Sequence, residues 1–221
     1  KLKMPDKLII FPFGGNARES LLTILDINKK NKKWDVLGFI DDNSLTWGKE
    51  CCGVRVLGGK EVIKEFQDVE ILAVPGNPND YLERQEIINR LETVNTHFAT
   101  IIHPSVTVSP DSILGYNNII MSNVVVSCGA NIGNHCVILP NSVIAHDCIV
   151  GDYCCIGSNV TISGNVTLGS NCYVGSGTSI RDNIEIGENT LIGLGSNVIS
   201  DIPSGVVAVG NPAKGMKGGL K

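Results

Sequence analysis

The second half of the chain places an aliphatic residue at every sixth position. The series begins at Val108, runs through Ile120, Ile144 and Val174, and ends at Val198 without an insertion. Two residues before each member lies a second column in which most residues are small. A period of six fits neither an amphipathic helix nor a simple hairpin array. It is typical of a parallel β-helix in which each six residues form one flat side.

Glycine follows many of these aliphatic residues, at the points where the predicted β-helix turns a corner. A Cβ at such a corner would often clash with the neighbouring coil. These glycines are Gly115, Gly133, Gly151, Gly157, Gly169, Gly175, Gly187 and Gly193. Three sides make a coil of 18 residues, so the span from Val108 to Val198 gives about five coils. We therefore predict an all-β domain with a C-terminal tail at residues 101–221, whose flat faces and open ends favour association between copies.

Half of the eight cysteines fall in the column of small residues. We interpret them as small buried apolar side chains; they are Cys136, Cys148, Cys154 and Cys172. The adjacent pairs Cys51-Cys52 and Cys154-Cys155 lack the spacing of metal ligands, and the four histidines are not clustered with them. We therefore expect no metal site.

Strand patterns alternate with helical patterns in the first hundred residues. Strands are predicted at residues 8–11, 36–40 and 71–74, helices at 17–27, 61–66 and 81–91, and an approach to the β-helix at 98–102. Such alternation predicts a parallel sheet with right-handed connections. We therefore predict an α/β, Rossmann-like domain at residues 1–100.

Glycines and acidic residues follow the three predicted strands at their carboxyl ends. In a parallel sheet these ends meet at one edge, where ligands bind. The glycine turn lets backbone N–H groups approach a phosphate at a helix N-terminus, and an acidic residue can accept hydrogen bonds from a ribose or a uracil-like ring. The candidate contacts to a nucleotide-linked substrate at this edge are Gly14, Gly15, Asp41, Asp42 and Gly76.

The glycine turn matches the dinucleotide fingerprint poorly. Pro12 and Phe13 stand where its first glycine would be, and Arg18 replaces the third. A nicotinamide cofactor is therefore not expected. Ordinary loop-forming residues remain an alternative to a nucleotide site.

One histidine of the repeat has small neighbours in the predicted stack. His146 should lie between Cys128 and Gly164, one coil away on either side. The small neighbours leave space over the imidazole where a thioester and an acceptor could meet, so Gly164 is assigned to the thioester-binding surface. The alternative for His146 is a solvent-facing polar residue on a structural solenoid without chemistry.

Acyl transfer from a thioester needs a group that removes a proton from the attacking amine or hydroxyl. An imidazole suits this role near neutral pH. Asp147 follows His146 directly, so in an extended strand its side chain would point away. Only a corner in the backbone would let Asp147 contact the ring, fix its tautomer and stabilise the imidazolium.

Composition narrows the classes of function. The chain has 221 residues, of which 43% are hydrophobic, and a net charge of −4. It offers no broad basic surface, so nucleic acid and anionic membranes are not expected partners. No run approaches the roughly 20 apolar residues of a membrane span, and we find no pattern of a secretory leader. We expect a cytoplasmic protein that binds small molecules.

Taken together, these motifs resemble the hexapeptide-repeat sugar acyltransferases. That family includes sialic-acid O-acetyltransferases, the perosamine N-acetyltransferase and the UDP-4-amino-sugar N-acetyltransferase of the bacillosamine pathway. The resemblance covers nearly the whole chain. It rests on Gly14-Gly15, Gly38-Phe39-Ile40-Asp41-Asp42, Gly53-Val54-Arg55-Val56-Leu57-Gly58, Gly76-Asn77, His103-Pro104, Ile144-Ala145-His146-Asp147-Cys148 and Val209-Gly210-Asn211-Pro212-Ala213-Lys214.

The resemblance implies a left-handed β-helix and a homotrimer with active sites between neighbouring subunits. It implies acetyl-CoA as co-substrate in the groove and a sugar nucleotide on the N-terminal domain. His146 would be the general base and Asp147 its acidic partner. Cys155, Ser176 and Leu194 fall where family members contact acetyl-CoA.

Two positions depart from the family pattern. Asn16 stands where relatives usually carry a histidine after the glycine pair, and Cys155 where they usually carry a second one. Asn16 can still donate a hydrogen bond to the sugar, so the resemblance implies that it is a further sugar-nucleotide contact. A thiol is a weak donor, so we expect the acceptor or the acyl group to differ from those of the best-known members. We predict N-acetylation of a UDP-4-amino-sugar in bacterial surface glycan biosynthesis. Sugar O-acetylation of the sialic-acid type and a non-catalytic nucleotide-sugar-binding scaffold remain the alternatives.

Overall fold

The computed structural model describes residues 4–91 and 96–216, which form an α/β domain followed by a β-helix. The strands of the α/β domain are β1 (Asp6–Phe11), β2 (Trp34–Ile40), β3 (Glu50–Cys51), β4 (Val54–Gly58), β5 (Val69–Ala73) and β6 (His97–Phe98). Its helices are α1 (Gly15–Lys30) and α2 (Arg84–Asn89), with 3-10 turns at Ser44–Thr46, Lys60–Glu65 and Tyr81–Glu83. Within the described ranges no helix is long and apolar enough to cross a membrane.

The sheet of the α/β domain has the order β3-β4-β2-β1-β5-β6. Its strands run parallel, except that β3 pairs antiparallel with β4. The predicted alternation is confirmed in outline, but the helix predicted at 61–66 is a 3-10 turn and the one at 81–91 is α-helical only over Arg84–Asn89. The expectation of an entirely parallel sheet is wrong at the β3–β4 hairpin. The hairpin turns through Cys52 and Gly53, whose φ angles are 49° and 79°. Glycine adopts this left-handed conformation without steric cost, and this makes the turn possible.

The β-helix consists of two-residue strands on three faces, as the hexad pattern predicts. Each strand ends on a residue of the aliphatic series, which points inward, while the residue before it points outward. The series begins one strand earlier than predicted, at Ile101–Ile102. The strands are Ile101–Ile102, Thr107–Val108, Ile113–Leu114, Ile119–Ile120, Val125–Val126, Asn131–Ile132, Val137–Ile138, Val143–Ile144, Ile149–Val150, Cys155–Ile156, Thr161–Ile162, Thr167–Leu168, Tyr173–Val174, Ser179–Ile180, Glu185–Ile186, Leu191–Ile192 and Asn197–Val198, followed by Val207–Val209 and an antiparallel Lys214–Gly215. The end of the predicted tail, residues 217–221, lies outside the described residues.

The three faces are named by their outward residues. Face 1 carries Ile101, Ile119, Val137, Cys155, Tyr173 and Leu191; face 2 carries Thr107, Val125, Val143, Thr161, Ser179 and Asn197; face 3 carries Ile113, Asn131, Ile149, Thr167 and Glu185. The four cysteines predicted to be buried are at most 1% exposed inside the β-helix.

The corners of the β-helix explain two residue preferences. A Cβ added to Gly151 or to Gly157 would lie 2.5 Å from a backbone nitrogen of the next coil. This separation is too short for any side chain, so the predicted role of these glycines is confirmed. A second column of corner residues has φ near +55 to +60° and is rich in asparagine, as at Asn123 (59°), Asn165 (58°) and Asn183 (58°). Asparagine tolerates this region better than most residues do.

The α/β domain covers face 1 of the β-helix. Ala17, Leu21 and Ile24 of α1 join the outward residues Ile119 and Val137 in one hydrophobic cluster. Both β-helix residues are fully buried. Each large aliphatic side chain buried in this way contributes about 1.5–3 kcal/mol. The two domains therefore share a core, and the described residues leave faces 2 and 3 uncovered.

The segment around α2 is fastened to one corner of the β-helix. Arg84 is 2% exposed and donates from Nε to the Tyr153 carbonyl (3.0 Å) and from Nη2 to the His135 carbonyl (2.6 Å). The Tyr81 hydroxyl donates to the Asn189 carbonyl (3.1 Å) and the Asn171 amide donates to the Leu82 carbonyl (3.3 Å). These contacts reach successive coils, so they hold the segment that follows Gly76 at a fixed height on the β-helix.

His135 lies between the domains and gives the fold a dependence on pH. Its ring stacks on Tyr153 with 4.7 Å between centroids, and burial, together with the nearby charge of Arg84, lowers the pKa of His135 to about 4. At pH values below about 6.5, the ordinary pKa, His135 is therefore protonated in the unfolded chain but stays neutral in the folded chain. The contribution of neutral His135 to the free energy of unfolding is fully present above about pH 6.5 and is lost as the pH falls toward about 4.

We expect the wild-type chain to lose on the order of 2 kcal/mol of unfolding free energy between pH 7 and pH 4.5 through His135, after allowance for solvent screening. The matched control is His135→Asn, because asparagine occupies the equivalent corner position one coil away at Asn117 and two coils away at Asn171. Urea unfolding at the two pH values measures the difference. An equal loss in wild type and variant would contradict the assignment.

Candidate active site

All six residues predicted to contact a nucleotide line one cavity of about 420 Å³ in the α/β domain. The cavity lies beyond the carboxyl ends of β1, β2 and β5, where the predicted strands bring their loops together. The residues are Gly14, Gly15, Asn16, Asp41, Asp42 and Gly76. Gly14 is the N-cap of α1, so the first N–H groups of a 16-residue helix open toward this space. This end of a helix favours an anion such as phosphate.

The two neighbouring aspartates have different roles. Asp41 accepts hydrogen bonds on both carboxylate oxygens, from the Phe13 N–H (3.0 Å) and the Asn43 N–H (2.8 Å). It therefore braces the glycine turn against β2. Asp42 is exposed and accepts one hydrogen bond, from the Lys60 N–H to Oδ1 (3.2 Å), so its second oxygen is open toward a ligand.

The two departures from the family pattern lie side by side around Gly76. A Cβ on Gly76 would overlap the Asn16 amide and lie 3.5 Å from Cys155 Sγ, so any larger residue there would displace the Asn16 side chain. Cys155 is 2% exposed. Burial raises the pKa of its thiol, opposed by the charge of Arg84 and the adjacent Asn16 amide. Cys155 thus lies under the cavity wall rather than on an open groove.

His146 and Asp147 form a dyad on the surface of the β-helix. The Asp147 backbone is left-handed, with φ 57°, which turns its carboxylate back toward its neighbour. Oδ2 of Asp147 lies 2.9 Å from Nδ1 of His146. This contact favours the tautomer with the proton on Nδ1, which leaves Nε2 free to accept a proton. The side chains are 53% and 62% exposed.

Small neighbours make room for the imidazole, as the spacing predicts. The Asn165 N–H donates to the His146 carbonyl (3.0 Å), and the Asp147 N–H donates to the Cys128 carbonyl (2.9 Å), which confirms the 18-residue register. A Cβ on Gly164 would overlap Cε1 and Nε2 of His146. The absence of a side chain at Gly164 therefore makes room for the imidazole ring of His146.

The cavity and the dyad lie on opposite sides of the β-helix. His146 follows face 2 and precedes face 3, so it stands at the corner opposite face 1, which the α/β domain covers. Ser176 and Leu194 lie at the corner between faces 1 and 2, where Leu194 is 83% exposed. Within one chain, the site residues therefore form two separate groups.

The segment around α2 contributes cavity residues that the sequence analysis missed. Asp80, Glu83 and Arg90 line the same cavity, although no motif distinguishes them in the sequence. Their places depend on how this segment packs on the β-helix, which local patterns do not encode. Across residues 4–91 and 96–216, no three His, Cys, Asp or Glu side chains are grouped so that they could hold a metal ion.

Comparison with known proteins agrees with this architecture. Residues 129–164 match the family model described as bacterial transferase hexapeptide (six repeats). A search of curated proteins finds no match. The acetyltransferase domain of PglB from Neisseria gonorrhoeae, solved with acetyl coenzyme A, is 25% identical with a TM-score of 0.84 and covers 96% of this chain and 100% of that one.

Two further solved structures are similar over almost their whole length. A variant of GDP-perosamine N-acetyltransferase from Caulobacter crescentus, in complex with CoA and GDP-perosamine, is 25% identical, covers 98% of this chain and 99% of that one, and has a TM-score of 0.84. WeeI from Acinetobacter baumannii is 19% identical, covers 96% and 100%, and has a TM-score of 0.76, which supports the fold alone.

The fold, the repeat and these relatives define the class of protein. The chain is an acyltransferase with an N-terminal α/β domain and a left-handed parallel β-helix. The resemblance to the hexapeptide-repeat sugar acyltransferases, predicted from the sequence motifs, is confirmed.

Proposed function

We propose that the protein transfers an acetyl group from acetyl-CoA to the amine of a nucleotide-activated amino-sugar. The dyad carries this proposal: Oδ2 of Asp147 lies 2.9 Å from Nδ1 of His146, while the ring packs over Gly164 and its side chain is 53% exposed. The two relatives at 25% identity add support, because one was solved with acetyl coenzyme A and the other with CoA and GDP-perosamine. We further propose a UDP-linked 4-amino-sugar used in surface glycan assembly, and a cytoplasmic location.

In this mechanism the amine attacks the thioester carbonyl directly. Nε2 of His146 accepts the proton that the nitrogen loses, and Asp147 stabilises the imidazolium that forms. Backbone N–H groups of the β-helix stabilise the oxyanion. The C–S bond then breaks, the imidazolium returns the proton to the departing thiolate, and the N-acetyl sugar and CoA leave.

We propose that the active site forms between two copies of the chain in a homotrimer. The cavity lies on the α/β domain over face 1, whereas His146 stands at the opposite corner, so no single chain brings them together. Faces 2 and 3 beside His146 carry exposed apolar residues, among them Val125, Ile113 and Ile149, which are 37%, 62% and 51% exposed. Burying such residues stabilises an interface.

Acetyl-CoA would lie along the crevice between copies. Ser176 and Leu194 are exposed at the edge of face 1 and can offer backbone groups to it, and Gly164 leaves room for the thioester beside the imidazole. Cys155 would act from beneath the cavity wall, through Asn16 and Gly76, rather than by direct contact with the cofactor.

A substrate panel tests the proposed function. The protein is incubated with acetyl-CoA and a UDP-4-amino-sugar, a GDP-4-amino-sugar or a sialic acid, and free thiol and acetylated product are measured. We expect thiol release and an N-acetyl product with the UDP-linked amine. Product with only the GDP-linked amine would correct the nucleotide, and product with only sialic acid would make the protein an O-acetyltransferase. Nucleotide binding without acetyl-CoA binding by calorimetry would indicate a scaffold.

A further inference from the structure

Trp47 is an exposed aromatic residue fixed beside Asp41 and Asp42, two of the residues that line the cavity. Its indole is 51% exposed, and its Nε1–H donates to the Asp41 carbonyl at 2.7 Å. Its backbone N–H donates to the Ser44 carbonyl (3.2 Å), at the end of a 3-10 turn whose start is capped by the side chain of Asn43. The ring therefore has one defined orientation although half of its surface faces solvent.

The Trp47 ring lies close to the carboxylate of Asp42. A Cβ built on Gly59 would lie 3.6 Å from Trp47 Cζ2 and 3.6 Å from Asp42 Oδ1, so the ring edge and the carboxylate converge on the same backbone. Asp42 lines the cavity, and Oδ2 carries no hydrogen bond in the described part of the chain. A fixed aromatic face and a free acceptor thus stand together beside the cavity.

We propose that Trp47 stacks on the base of the bound nucleotide, next to Asp42, whose contact with the base the sequence already predicts. This inference rests on the proposed function and adds to it the residue that recognises the base. A planar base presents a π-face to the indole, and uracil and guanine each carry a ring N–H that an ionised carboxylate can accept. The diphosphate then points into the cavity, toward the glycine turn and the N-terminus of α1.

Exposure alone does not distinguish Trp47, since Leu45 in the same turn is 79% exposed. Leu45, however, has no aromatic ring to stack on a base, and its aliphatic side chain is not fixed by a hydrogen bond as that of Trp47 is. Leu45→Ala is therefore the matched control for a change in this loop. Trp34, the other tryptophan, is 3% exposed in the core and is shielded from a ligand.

Calorimetry with UDP and with GDP tests the inference. Removing the aromatic ring in Trp47→Leu should raise the Kd of the preferred nucleotide roughly 5- to 100-fold, as loss of one base-aromatic stack does. Trp47→Phe should bind within about threefold of wild type because it keeps a π-face. Leu45→Ala should bind like wild type. Equal Kd values for Trp47→Leu and Leu45→Ala would overturn the inference.

Fluorescence of the wild-type chain gives a second readout that needs no variant to fold. Stacking should quench the emission of Trp47, which alone of the two tryptophans is exposed. UDP or GDP that binds by calorimetry without changing this emission would overturn the role of Trp47 and leave the proposed function intact. Failure of the wild type to bind either nucleotide would instead refute the proposed function and the inference with it.

Discussion

His146→Ala is expected to lower turnover roughly 100- to 10,000-fold, the range that loss of a general base produces. The reason is geometric. Asp147 holds Nδ1 at 2.9 Å, which leaves Nε2 of the half-exposed ring as the atom that accepts the proton of the attacking amine. Without the imidazole, no neighbouring side chain in the described stack replaces that acceptor, because Cys128 and Gly164 occupy the flanking coils. The measurement is the rate of CoA release with a UDP-4-amino-sugar.

Two controls separate chemistry from folding. The imidazole is 53% exposed, so His146→Ala should leave the melting temperature nearly unchanged. Asp147→Asn places an amide at Nδ1, which can donate there and move the ring proton to Nε2, where it blocks base catalysis. We therefore expect Asp147→Asn to lower kcat more than it changes KM. The fall in kcat should be smaller than the fall caused by His146→Ala. Near-normal turnover in His146→Ala would remove this residue from the mechanism.

The β-helix could be predicted almost completely from the sequence because its physics is local and repetitive. Each coil repeats the same inward aliphatic residue, and a single residue of slippage would expose the whole series. The same reasoning locates the buried cysteines and the corner glycines. The first strand, Ile101–Ile102, continues the hexad spacing one step before Val108, so the sequence already carried the signal for it.

Other features escaped prediction because they depend on contacts distant in sequence. The hairpin of β3 and β4 contains only short strands, and its turn through Cys52 and Gly53 resembles an ordinary loop. The cavity residues of the α2 segment depend on Arg84, which bridges to carbonyls 51 and 69 residues away. The asparagine-rich corner column was a usable signal, because left-handed positions favour asparagine in any repeat.

The candidate site was predictable in parts. Parallel strands place their carboxyl ends at one edge, so five of the six cavity residues followed from the strand order, whereas Asn16 was predicted from the family resemblance. Contact between His146 and Asp147 depends on the left-handed φ of Asp147. From the sequence we could say that a backbone corner was needed for this contact, but not that one forms there. That Asn16 and Cys155 adjoin Gly76 follows from the packing of face 1 under the α/β domain, and no local pattern encodes it.

If the active site is assembled from two chains, two inactive variants should complement each other within one trimer. Gly15→Phe fills open space at the mouth of the cavity, since a Cβ at Gly15 meets no described atom within 4 Å. His146→Ala removes the base and leaves the cavity intact. Each variant alone should be nearly inactive. In trimers that contain both chains, some crevices combine an intact cavity from one copy with an intact His146 from its neighbour.

The decisive measurement is therefore the rate of CoA release by trimers purified through two different tags, one on each variant. In every trimer that contains both variants, one crevice of the three pairs an intact cavity with an intact His146, so the doubly purified trimers should recover about a third of wild-type turnover. Mixed trimers as inactive as the separate variants would contradict an active site in which the cavity of one chain faces the imidazole of another.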